Sequence, residues 1–394
     1  MERTTGAAGS GPVAFDLGGL WRRLAALTDG RRARGKRYAL PLLLVLIVLA
    51  KLSGEDRPSG IADWVKHRRA RLARALGVGL PRAPHHNTYR RVLAQAVEPA
   101  ELDAAVGAFV GAMPQVGTSV LISIDGKTIK GTIDAEDPHG EHLLVAYLPR
   151  EGVVLMQVAA GRADTEIGVA PALLRCLDLR GKVVAGDALH TQRGVSAQIL
   201  AAGGAYLWFA KDNQPALRAD IDELFTGDDR TVEGGRLPHD FRTARHADKG
   251  HGRREVRRIT TSAELTGYSD WPGLAQVFRL ERQRLEVASG KEQREVVYGL
   301  TSLTPGEASP ARLLTLTRAY WGVENGLHYR RDVTFREDAT RLTQGRAGHV
   351  MASLNNLVIS LLRLAGFTNL AAARRYYGAG LANVLTLLSP ALRT

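Results

Sequence analysis

Hydrophobic and polar residues follow two different periods along the chain, and the change between them divides the sequence. Between residues 13 and 115 the apolar positions recur at helical spacing. The helices predicted by this spacing are Phe15–Ala26, Tyr38–Leu52, Ser59–Leu76 and Glu98–Phe109. The most apolar run, ALPLLLVLIVLA at residues 39–50, is shorter than the roughly 20 residues that cross a bilayer. We therefore predict a buried helix there rather than a membrane span, within a helical N-terminal domain at 13–115 that follows a loose polar tail at 1–12.

From Val120 onward the apolar runs become short and are separated by turn-rich pieces, which is typical of strands. Three such runs, LISID, LLVAYL and VVLMQVAA, come first. They are followed by a helix at Glu166–Leu177, the strand VVA, a helix at Gln192–Ala202 and the strand YLWFA. This is the element order of the RNase H-like fold, a mixed sheet flanked by helices. Residues 118–225 are therefore predicted to form the first part of an RNase H-like α/β domain.

The α/β order is interrupted at residues 226–300, where Thr, Arg, Val and Glu alternate. This alternation predicts an antiparallel β insertion with basic faces. It brackets the loop Asp248–Arg254, which either grips phosphates through its Lys, His, Arg and Gly N–H groups or is a plain surface turn. Helical patterns return within Ser309–Arg331 and at Gly345–Ala365, so residues 301–394 are predicted to complete the α/β domain and to add C-terminal helices.

The charge of the chain indicates a polyanionic partner. Its 394 residues include 53 Lys and Arg against 40 Asp and Glu, which gives a net charge of +13. Such an excess favours nucleic acid over a membrane surface, although a generally basic proteome would give the same balance. Cys176 is the only cysteine, which excludes an intramolecular disulfide and a cysteine-built zinc site and fits a reducing cytoplasm.

One N-terminal segment, PRAPHHNTYRRVL, has the features of a DNA-contacting helix. Pro84 ends one element, and Asn87 or Thr88 is a candidate cap for the next. We predict that the first turn of this helix carries Arg90 and Arg91, which in that position bind DNA phosphates or enter a groove. The alternative is a solvated basic helix face.

Two aspartates occupy the same place in two predicted strands. Asp125 follows VLISI and Asp187 follows VVAG, so each carboxylate lies at the carboxyl end of a buried strand, where α/β folds place ligands. If the two strands are neighbours, the like charges meet, and the pair is costly unless a cation lies between them. Carboxylate oxygens favour Mg²⁺ or Mn²⁺, and a pair of such ions suits displacement at a phosphate. The alternative for Asp125 is that it caps a turn.

A third carboxylate is expected from a helix packed on the sheet, and Glu324 is the candidate. On an α-helix it shares one face with Tyr320, His328 and Arg331, at i−4, i+4 and i+7. Such a face offers a metal ligand together with a phosphate-binding cation. Alternatively, Glu324 pairs with His328 on a wet helix surface. The rival carboxylates are Asp332, Glu337 and Asp338.

Five sequence blocks carry a resemblance to a known family. They are, in order, IDGKTIKG, VVAGDALHTQ, FAKDNQP, KGHGRREVR and YWGVENGLHYRRDVTFREDATR. They resemble the signature blocks of Asp-Asp-Glu (DDE) insertion-sequence transposases, and the nearest group is the ISAs type, which includes the H-repeat-associated proteins. The resemblance runs from about Pro41 to Ala365, since IADWVKHR and HNTYRRVL are similar to the N-terminal associated domain of that group.

The resemblance implies a metal-dependent enzyme that cuts and joins DNA strands, with Asp125, Asp187 and Glu324 as its triad. It implies double-stranded DNA partners, namely the terminal inverted repeats of the element and a target. We expect a homodimer on that DNA, at the nucleoid in the cytoplasm. The resemblance also implies a Tyr-Arg-Glu-Lys-type helix signature, from which this sequence departs. Tyr320 stands where Arg is expected and Arg331 where Lys is expected, so only the second place keeps a cation.

Further cations around these blocks are candidate DNA contacts. The predicted contacts are Lys127, Lys130, Lys211 and Arg331 as phosphate clamps, with Lys249 and Arg253 in the β insertion. His190, three residues past Asp187, contacts a phosphate, orients a carboxylate or is an ordinary second-layer residue. Two other functions stay open: a catalytically retired transposase-derived DNA-binding protein, and an RNase H-like nuclease without strand transfer.

Overall fold

Helices dominate the first and last parts of the described chain, apart from a two-residue strand at each end, and strands dominate its middle. The computed structural model describes residues 15–161, 165–227, 230–232, 235–237, 239–250 and 252–389, so the predicted tail at 1–12 lies outside the described residues. The helices are α1 Leu17–Ala25, α2 Leu40–Leu52, α3 Pro58–Leu76, α4 His86–Arg91, α5 Pro99–Gly111, α6 Glu166–Arg175, α7 Arg193–Ala201, α8 Pro215–Thr226, α9 Pro310–Tyr320, α10 Ala347–Leu364, α11 Leu370–Gly378 and α12 Leu381–Leu387.

The strands of the central region appear in the order that the sequence predicts. The strands are β1 Phe15–Asp16, β2 Leu121–Ile129, β3 Glu141–Leu148, β4 Val153–Ala160, β5 Val183–Ala185, β6 Ala205–Ala210, β7 Arg230–Val232, β8 Gly235–Leu237, β9 Arg242–Gly250, β10 Arg253–Ser262, β11 Gln276–Glu286, β12 Glu292–Thr301 and β13 Leu388–Ser389. From β2 to β6 the order is three strands, helix, strand, helix and strand, which confirms the predicted sequence of elements.

Contacts divide the chain into two units, and each unit gathers segments that are distant in sequence. Unit 1 takes its described residues from Met1–Ser119, Gly126–Thr165 and Val323–Thr394, and unit 2 from Val120–Asp125 and Glu166–Gly322. The chain therefore passes from one unit to the other within β2. These limits differ from the domain boundaries that we predict from the sequence.

Unit 1 is organised around α10. This helix is buried from Ala347 to Leu362 and contacts α2, α5 and β4. α2 is buried along almost its whole length, which confirms the buried helix predicted from its apolar run. β3 and β4 form an antiparallel hairpin, and Ile129, Leu143 and Ala352 form a small core cluster. Across the part of the chain that the structure describes, every helix is too short or too polar to traverse a bilayer.

Unit 2 is built on a mixed sheet with the strand order β2-β5-β6-β12-β11-β10-β9. β5 runs parallel to both β2 and β6, whereas β12 pairs antiparallel with β6 and begins an antiparallel series out to β9. One hydrophobic core joins the parallel strands, the antiparallel strands and α9; it includes Leu121, Leu207, Phe278 and Leu313. The sheet thus brings the short buried strands β2 and β5 side by side.

β2 continues where the sequence predicts its end. It runs through Asp125 and Gly126, so Asp125 lies within the strand rather than at its carboxyl end. The second half alternates buried Lys127 and Ile129 with the less buried Gly126 and Thr128, which is the pattern of a strand with one buried face. Gly126 does not end the strand, which continues to Ile129 with β3 as its neighbour in the sheet.

The basic helix α4 begins earlier than the sequence predicts. His85, not Asn87 or Thr88, is its N-cap, and the Nδ1 atom of His85 accepts a hydrogen bond from the Asn87 N–H at 3.3 Å. The extended backbone of His85 makes this capping possible. Arg90 and Arg91 consequently lie in the last turn rather than in the first, and both side chains are exposed.

The basic loop predicted at Asp248–Arg254 is mostly a β-hairpin. β9 extends to Gly250 and β10 begins at Arg253, so both predicted DNA contacts of this loop lie on strand ends. Gly252 has a φ of 71°, a left-handed conformation that glycine adopts without strain and that tight hairpin turns require. Lys249 and Arg253 are exposed.

Candidate active site

The register of the parallel strands sets Asp125 beside Asp187. β2 and β5 pair Ser123 with Ala185, and each aspartate lies two residues further along its own segment. Asp187 keeps an extended backbone beyond the end of β5, with φ −70° and ψ −176°. Neighbouring strands lie about 4.8 Å apart. The two predicted carboxylates are therefore brought together in unit 2, as the sequence analysis expects for neighbouring strands.

Asp187 lies in a field of like charges. Its Oδ1 accepts a hydrogen bond of 2.9 Å from the Leu189 N–H and caps the short 3₁₀ turn Ala188–His190. Burial raises the pKa of the Asp187 carboxyl; His190 acts against this, while the negative charges of Glu166 and Asp125 raise the pKa further. The negative charges of Glu166 and Asp125 thus act on the Asp187 carboxylate, and a bound cation would stabilise this arrangement.

His190 is buried between two of these carboxylates. Its Nε2 lies 3.4 Å from Oε2 of Glu166 and 3.9 Å from Oδ1 of Asp187, and its side chain is 0% exposed. The ring also packs against Gly186, which has no side chain to exclude it. In this structure the ring faces carboxylates instead of solvent. Its position fits the alternative prediction, that it orients a carboxylate.

Glu166 is a site residue that the sequence does not predict. It is the first residue of α6, and its side chain reaches His190 and contributes to the charge around Asp187. The one sequence signal is an acidic residue in the first turn of a helix that follows a strand, which is common in any α/β protein. Only the packing of α6 beside the 187–190 turn distinguishes Glu166 from other such residues.

Hydrogen bonds from the neighbouring strand hold the Asp187 turn in place. Thr191 Oγ1 donates to the Phe209 carbonyl at 2.7 Å. In return, Gln214 Nε2 donates to the Thr191 carbonyl at 2.9 Å, and Asn213 Nδ2 donates to the Ala188 carbonyl. The turn is thus anchored to the end of β6 and to the FAKDNQP segment that follows it, where Lys211 is exposed.

Glu324 lies in unit 1 on a stretch that is not the regular α-helix predicted from the sequence. α9 ends at Tyr320, and two π-helical turns follow, at Glu324–His328 and Arg330–Thr334. A π-turn holds more residues than an α-turn, which rotates the later side chains away from their predicted positions. The predicted common face is therefore wrong: Glu324 is exposed, whereas His328 and Arg331 are buried.

Glu324 and His328 nevertheless remain neighbours. A carboxylate oxygen of Glu324 and a ring nitrogen of His328 lie within 4.8 Å of each other, and His328 is 5% exposed. Gly326 lies between them, and the Tyr147 hydroxyl occupies the space that a Cβ at Gly326 would need. The π-turn thus presents a carboxylate and an imidazole together, two side chains that commonly bind metal ions.

The three rival carboxylates are each engaged within unit 1. The bonds are from Lys127 Nζ to Asp332 at 2.7 Å, from Arg331 to the buried Glu337 at 2.7 Å, and from the Lys130 N–H to Asp338 at 3.0 Å. Glu337 also accepts a hydrogen bond of 2.7 Å from the Asn355 amide. These contacts leave Glu324 as the exposed member of the group.

The same contacts bury two of the predicted phosphate clamps within unit 1. Lys127 is 9% exposed and Arg331 is 0% exposed, and each is committed to a carboxylate of unit 1. Both cations are therefore paired inside unit 1 and are not exposed for contact with DNA in this structure. The other predicted DNA contacts have exposed side chains: Arg90, Arg91, Lys130, Lys211, Lys249 and Arg253.

The sequence matches two family models. Residues 117–361 match the family described as Transposase DDE domain, and residues 21–110 match the one described as DDE_Tnp_1-associated. The chain is 27% identical over 355 residues to "Putative protein YbfL" of Escherichia coli (strain K12), a match that covers 88% of this chain and 91% of that protein. It is 26% identical over 358 residues to "H repeat-associated putative transposase YhhI" of the same strain, with the same two coverages.

The chain is also similar to two further proteins. It is 32% identical over 266 residues to "Uncharacterized protein in dhlA 3'region" of Xanthobacter autotrophicus, a match that covers 66% of this chain and 86% of that protein. Among solved structures, a piggyBac transposase synaptic complex with hairpin DNA is similar with a TM-score of 0.42 and 10% identity, over 93% of this chain and 80% of that chain. The larger family match includes Asp125, Asp187 and Glu324.

Proposed function

Because the chain belongs to the family of the transposase DDE domain, we propose that it is the DNA transposase of an insertion sequence. It binds the terminal inverted repeats of its element, cuts the DNA there and joins the element ends to target DNA. One observation carries the proposal: the register of β2 and β5 sets Asp125 beside Asp187, and Asp187 lies just beyond the carboxyl end of β5 with the negative charges of Glu166 and Asp125 around it. In α/β folds, ligands bind outside the carboxyl ends of parallel strands.

The proposal includes the fold. The parallel order β2-β5-β6 and the β3–β4 hairpin support an RNase H-like core within 118–225 that is completed within 301–394. The antiparallel strands β9 to β12 support a β insertion at 226–300. The helices α1 to α5 support a DNA-binding N-terminal domain at 13–115, with exposed Arg90 and Arg91 as contacts.

We propose Asp125, Asp187 and Glu324 as the ligands of two divalent ions, Mg²⁺ or Mn²⁺. The donor set fits, because hard carboxylate oxygens are the ligands that these ions prefer and because burial, together with the like charges of Glu166 and Asp125, raises the pKa of Asp187 without a cation. When bound, such ions neutralise charge on a phosphate and activate the attacking oxygen. Convergence of Glu324 with the two aspartates is part of the proposal, and His328 is a further donor beside Glu324.

The side chains around the triad position it and the DNA. His190 holds Glu166 and Asp187 in one orientation, and the Leu189 N–H fixes the Asp187 carboxylate. Exposed Lys130 and Lys211 bind backbone phosphates. In the proposed reaction, water attacks a phosphodiester and displaces a 3′-hydroxyl, while the phosphate remains on the 5′ end of the other product. The freed 3′-hydroxyl then attacks a phosphodiester of the target and displaces the target's own 3′-hydroxyl. Because two ends must be joined, we propose a homodimer on DNA.

Cleavage of DNA that carries the element's own ends tests this function. We expect nicking or cutting with Mg²⁺ or Mn²⁺ and none with EDTA. Asp125→Ala, Asp187→Ala and Glu324→Ala each abolish cutting and leave binding of the ends largely intact. Asp178→Ala is the matched control, because Asp178 is an exposed carboxylate of unit 2 that pairs with Arg180.

Other results of the cleavage assay would indicate a different third ligand or a different function. Full activity of Glu324→Ala would transfer the third ligand to Asp332, Glu337 or Asp338. Cutting without joined products would identify a nuclease that lacks strand transfer. Tight binding of the ends with no cutting in either metal would identify a retired, DNA-binding relative.

A further inference from the structure

Unit 1 holds a cavity of about 470 Å³ that contains none of the proposed metal ligands. Three parts of unit 1 enclose it: the start of α3, the end of α4 with the turn after it, and the segment 339–347 that leads into α10. Each part contributes one arginine to the lining: Arg57, Arg90 and Arg341. Guanidinium groups from distant points of the sequence thus converge on one opening.

These arginines lack internal partners. None of the three guanidinium groups forms a hydrogen bond or an ion pair with the residues that the structure describes, and all three side chains are exposed. The described lining contains no carboxylate. Glu55, two residues before Arg57, is not part of the lining, and its carboxylate packs against Gly60 in the first turn of α3. Elsewhere in unit 1 comparable arginines are neutralised, as Arg346 is by Glu98. An uncompensated cluster of this kind attracts an external anion.

The backbone holds the cluster in place at an energetic cost. Arg341 has a φ of 47°, a left-handed conformation that costs a non-glycine residue free energy and persists only where its surroundings impose it. The Arg346 N–H donates to the Ala94 carbonyl at 3.2 Å, and Ala94 itself lines the cavity beside Arg90. The segment after Arg341 is therefore fixed to the end of the α4 region, and Arg341 is positioned relative to Arg90.

We propose that this cavity binds backbone phosphates of duplex DNA. Guanidinium groups bind phosphate oxygens in bidentate fashion, and the Ser59 and Thr343 hydroxyls add hydrogen-bond donors that phosphate accepts. The identity of the ligand as DNA rests on the proposed function. Phosphate contacts carry no base information, so the site contributes affinity and positioning but not recognition of the end sequence. In this proposal Arg90 binds phosphate together with Arg57 and Arg341, instead of entering a DNA groove on its own.

Salt-dependent DNA binding tests the site. The triple variant R57Q/R90Q/R341Q is compared with the wild type by fluorescence anisotropy on two duplexes, one with the element end and one of unrelated sequence. We expect affinity to fall by about tenfold or more, by the same factor on both duplexes. The slope of log K against log salt should shrink by about 0.9 for each phosphate that the variant no longer neutralises. R346Q, from the same segment but already neutralised by Glu98, keeps the wild-type slope.

Two single variants separate charge from backbone strain. R341G removes the cation but accepts the left-handed conformation, so we expect weaker DNA binding with a melting temperature no lower than that of the wild type. R341K keeps the charge and retains most of the salt slope. Loss of folding in R341G, or an unchanged DNA affinity in it, would overturn the role of Arg341.

The outcomes distinguish this site from the proposed function. If the wild type binds DNA and the triple variant binds it with the same affinity and slope, the site is wrong and the function stands. If the wild type binds neither duplex, the function fails and the site with it. A third arm titrates inorganic phosphate into both proteins and follows the melting temperature. Stabilisation of the wild type alone, with unchanged DNA binding, would identify a free-phosphate site and overturn the assignment to DNA.

Discussion

Gly186 leaves no room for a side chain next to the candidate carboxylates. A Cβ there would lie 2.9 Å from Cδ2 of His190 and 3.0 Å from Cζ3 of Trp208. Trp208 is 0% exposed and donates from Nε1 to Ser196, so the His190 ring has to move instead. In Gly186→Ala we expect the Mg²⁺ concentration for half-maximal cleavage to rise by about 10- to 100-fold, because groups that orient metal ligands have effects of that size. Metal titration of cleavage measures it.

Gly194→Ala is the control for that prediction. Gly194 lies in α7 of the same unit, and a Cβ there would meet nothing within 4 Å. Alanine is favoured over glycine in helices, so this variant keeps the wild-type metal response and is at least as stable. An equal shift in both variants, or none in Gly186→Ala, would show that the position of His190 does not affect metal binding.

Site residues could be predicted from the sequence only where they directly follow a recognisable strand. Asp125 and Asp187 follow two buried β-branched runs, and the parallel pairing of those runs brings the carboxylates together. Glu166 and His190 give no comparable signal, because a first-turn Glu and a His in a polar segment occur in many surface positions. Their approach depends on tertiary packing of α6 against the Asp187 turn, which no local pattern encodes.

At the scale of elements, the π-turn Glu324–His328 packs against β3 at Gly326, where a larger residue would not fit. The Tyr147 hydroxyl of β3 occupies the space of a Cβ at Gly326, and Tyr147 is 1% exposed. Gly326→Ala therefore pushes the turn away from β3 and displaces Glu324. We expect cleavage to fall by at least about tenfold while end binding persists, since misplacement of a ligand by a small distance has large effects on rate.

A second substitution makes this prediction specific. Tyr147→Phe removes the oxygen that collides with the new methyl group, so the double variant Gly326→Ala/Tyr147→Phe recovers part of the lost cleavage. Tyr147→Phe alone is the control and cuts DNA normally. Additive losses in the double variant would mean that the turn is disturbed in some other way.

A buried histidine joins three elements of unit 1. His349 of α10 contacts Asp103 of α5 through Nε2 at 2.6 Å and Glu141 of β3 through Nδ1 at 3.2 Å. Ser353 Oγ and Gln157 Nε2 donate to the same Asp103 carboxylate. Burial lowers the pKa of His349, but the hydrogen bonds and charges of Asp103 and Glu141 outweigh burial and raise the pKa to about 9.

This raised pKa predicts how the stability of unit 1 depends on pH. The unfolded chain has a His pKa of about 6.5, so the contribution of His349 is fully present below that pH and is lost as pH rises through 9. We expect the free energy of unfolding of the wild type, relative to His349→Gln, to decrease by on the order of 3 kcal/mol between pH 6 and about 9.5. Chemical denaturation at a series of pH values measures it. A difference that is constant over this range would contradict the prediction.

At the scale of the whole molecule, sequence patterns predict elements better than units. The alternating and apolar runs predict β2 to β6 in order, because each strand has its own buried face. They do not predict that the chain changes unit within β2, between Asp125 and Gly126, since contacts between distant segments define the units. The two π-turns are not predicted either, because the sequence pattern is interpreted with the α-helical period, and a π-turn shifts the later side chains away from that period.

The discontinuity of unit 2 leads to a prediction about its folding. Residues 166–322 form one continuous segment, but the first half of β2 comes from residues 120–125. Without it, β5 becomes an open sheet edge, and the core loses Leu121, whose burial contributes about 1.5–3 kcal/mol. The free energy of unfolding of a stable domain is only about 5–15 kcal/mol. We therefore expect the fragment 166–322 to aggregate or to unfold without cooperativity, as measured by size-exclusion chromatography and thermal circular dichroism.

Restoring the strand should restore the fold. Glu166 at the start of α6 and Asp187 lie 3.4 and 3.9 Å from the same atom of His190, and the strand register sets Asp187 beside Asp125. The end of the half-strand and the start of α6 therefore lie near each other. A short Gly-Ser linker from residue 125 to residue 166 can therefore close a β2-α6-β5 unit, the connection that parallel neighbouring strands require. We expect the linked fragment 118–125/166–322 to be a cooperatively folding monomer. If fragment 166–322 alone is equally stable, β2 is not an integral strand of unit 2, and the pairing that sets Asp125 beside Asp187 is not needed to form the sheet.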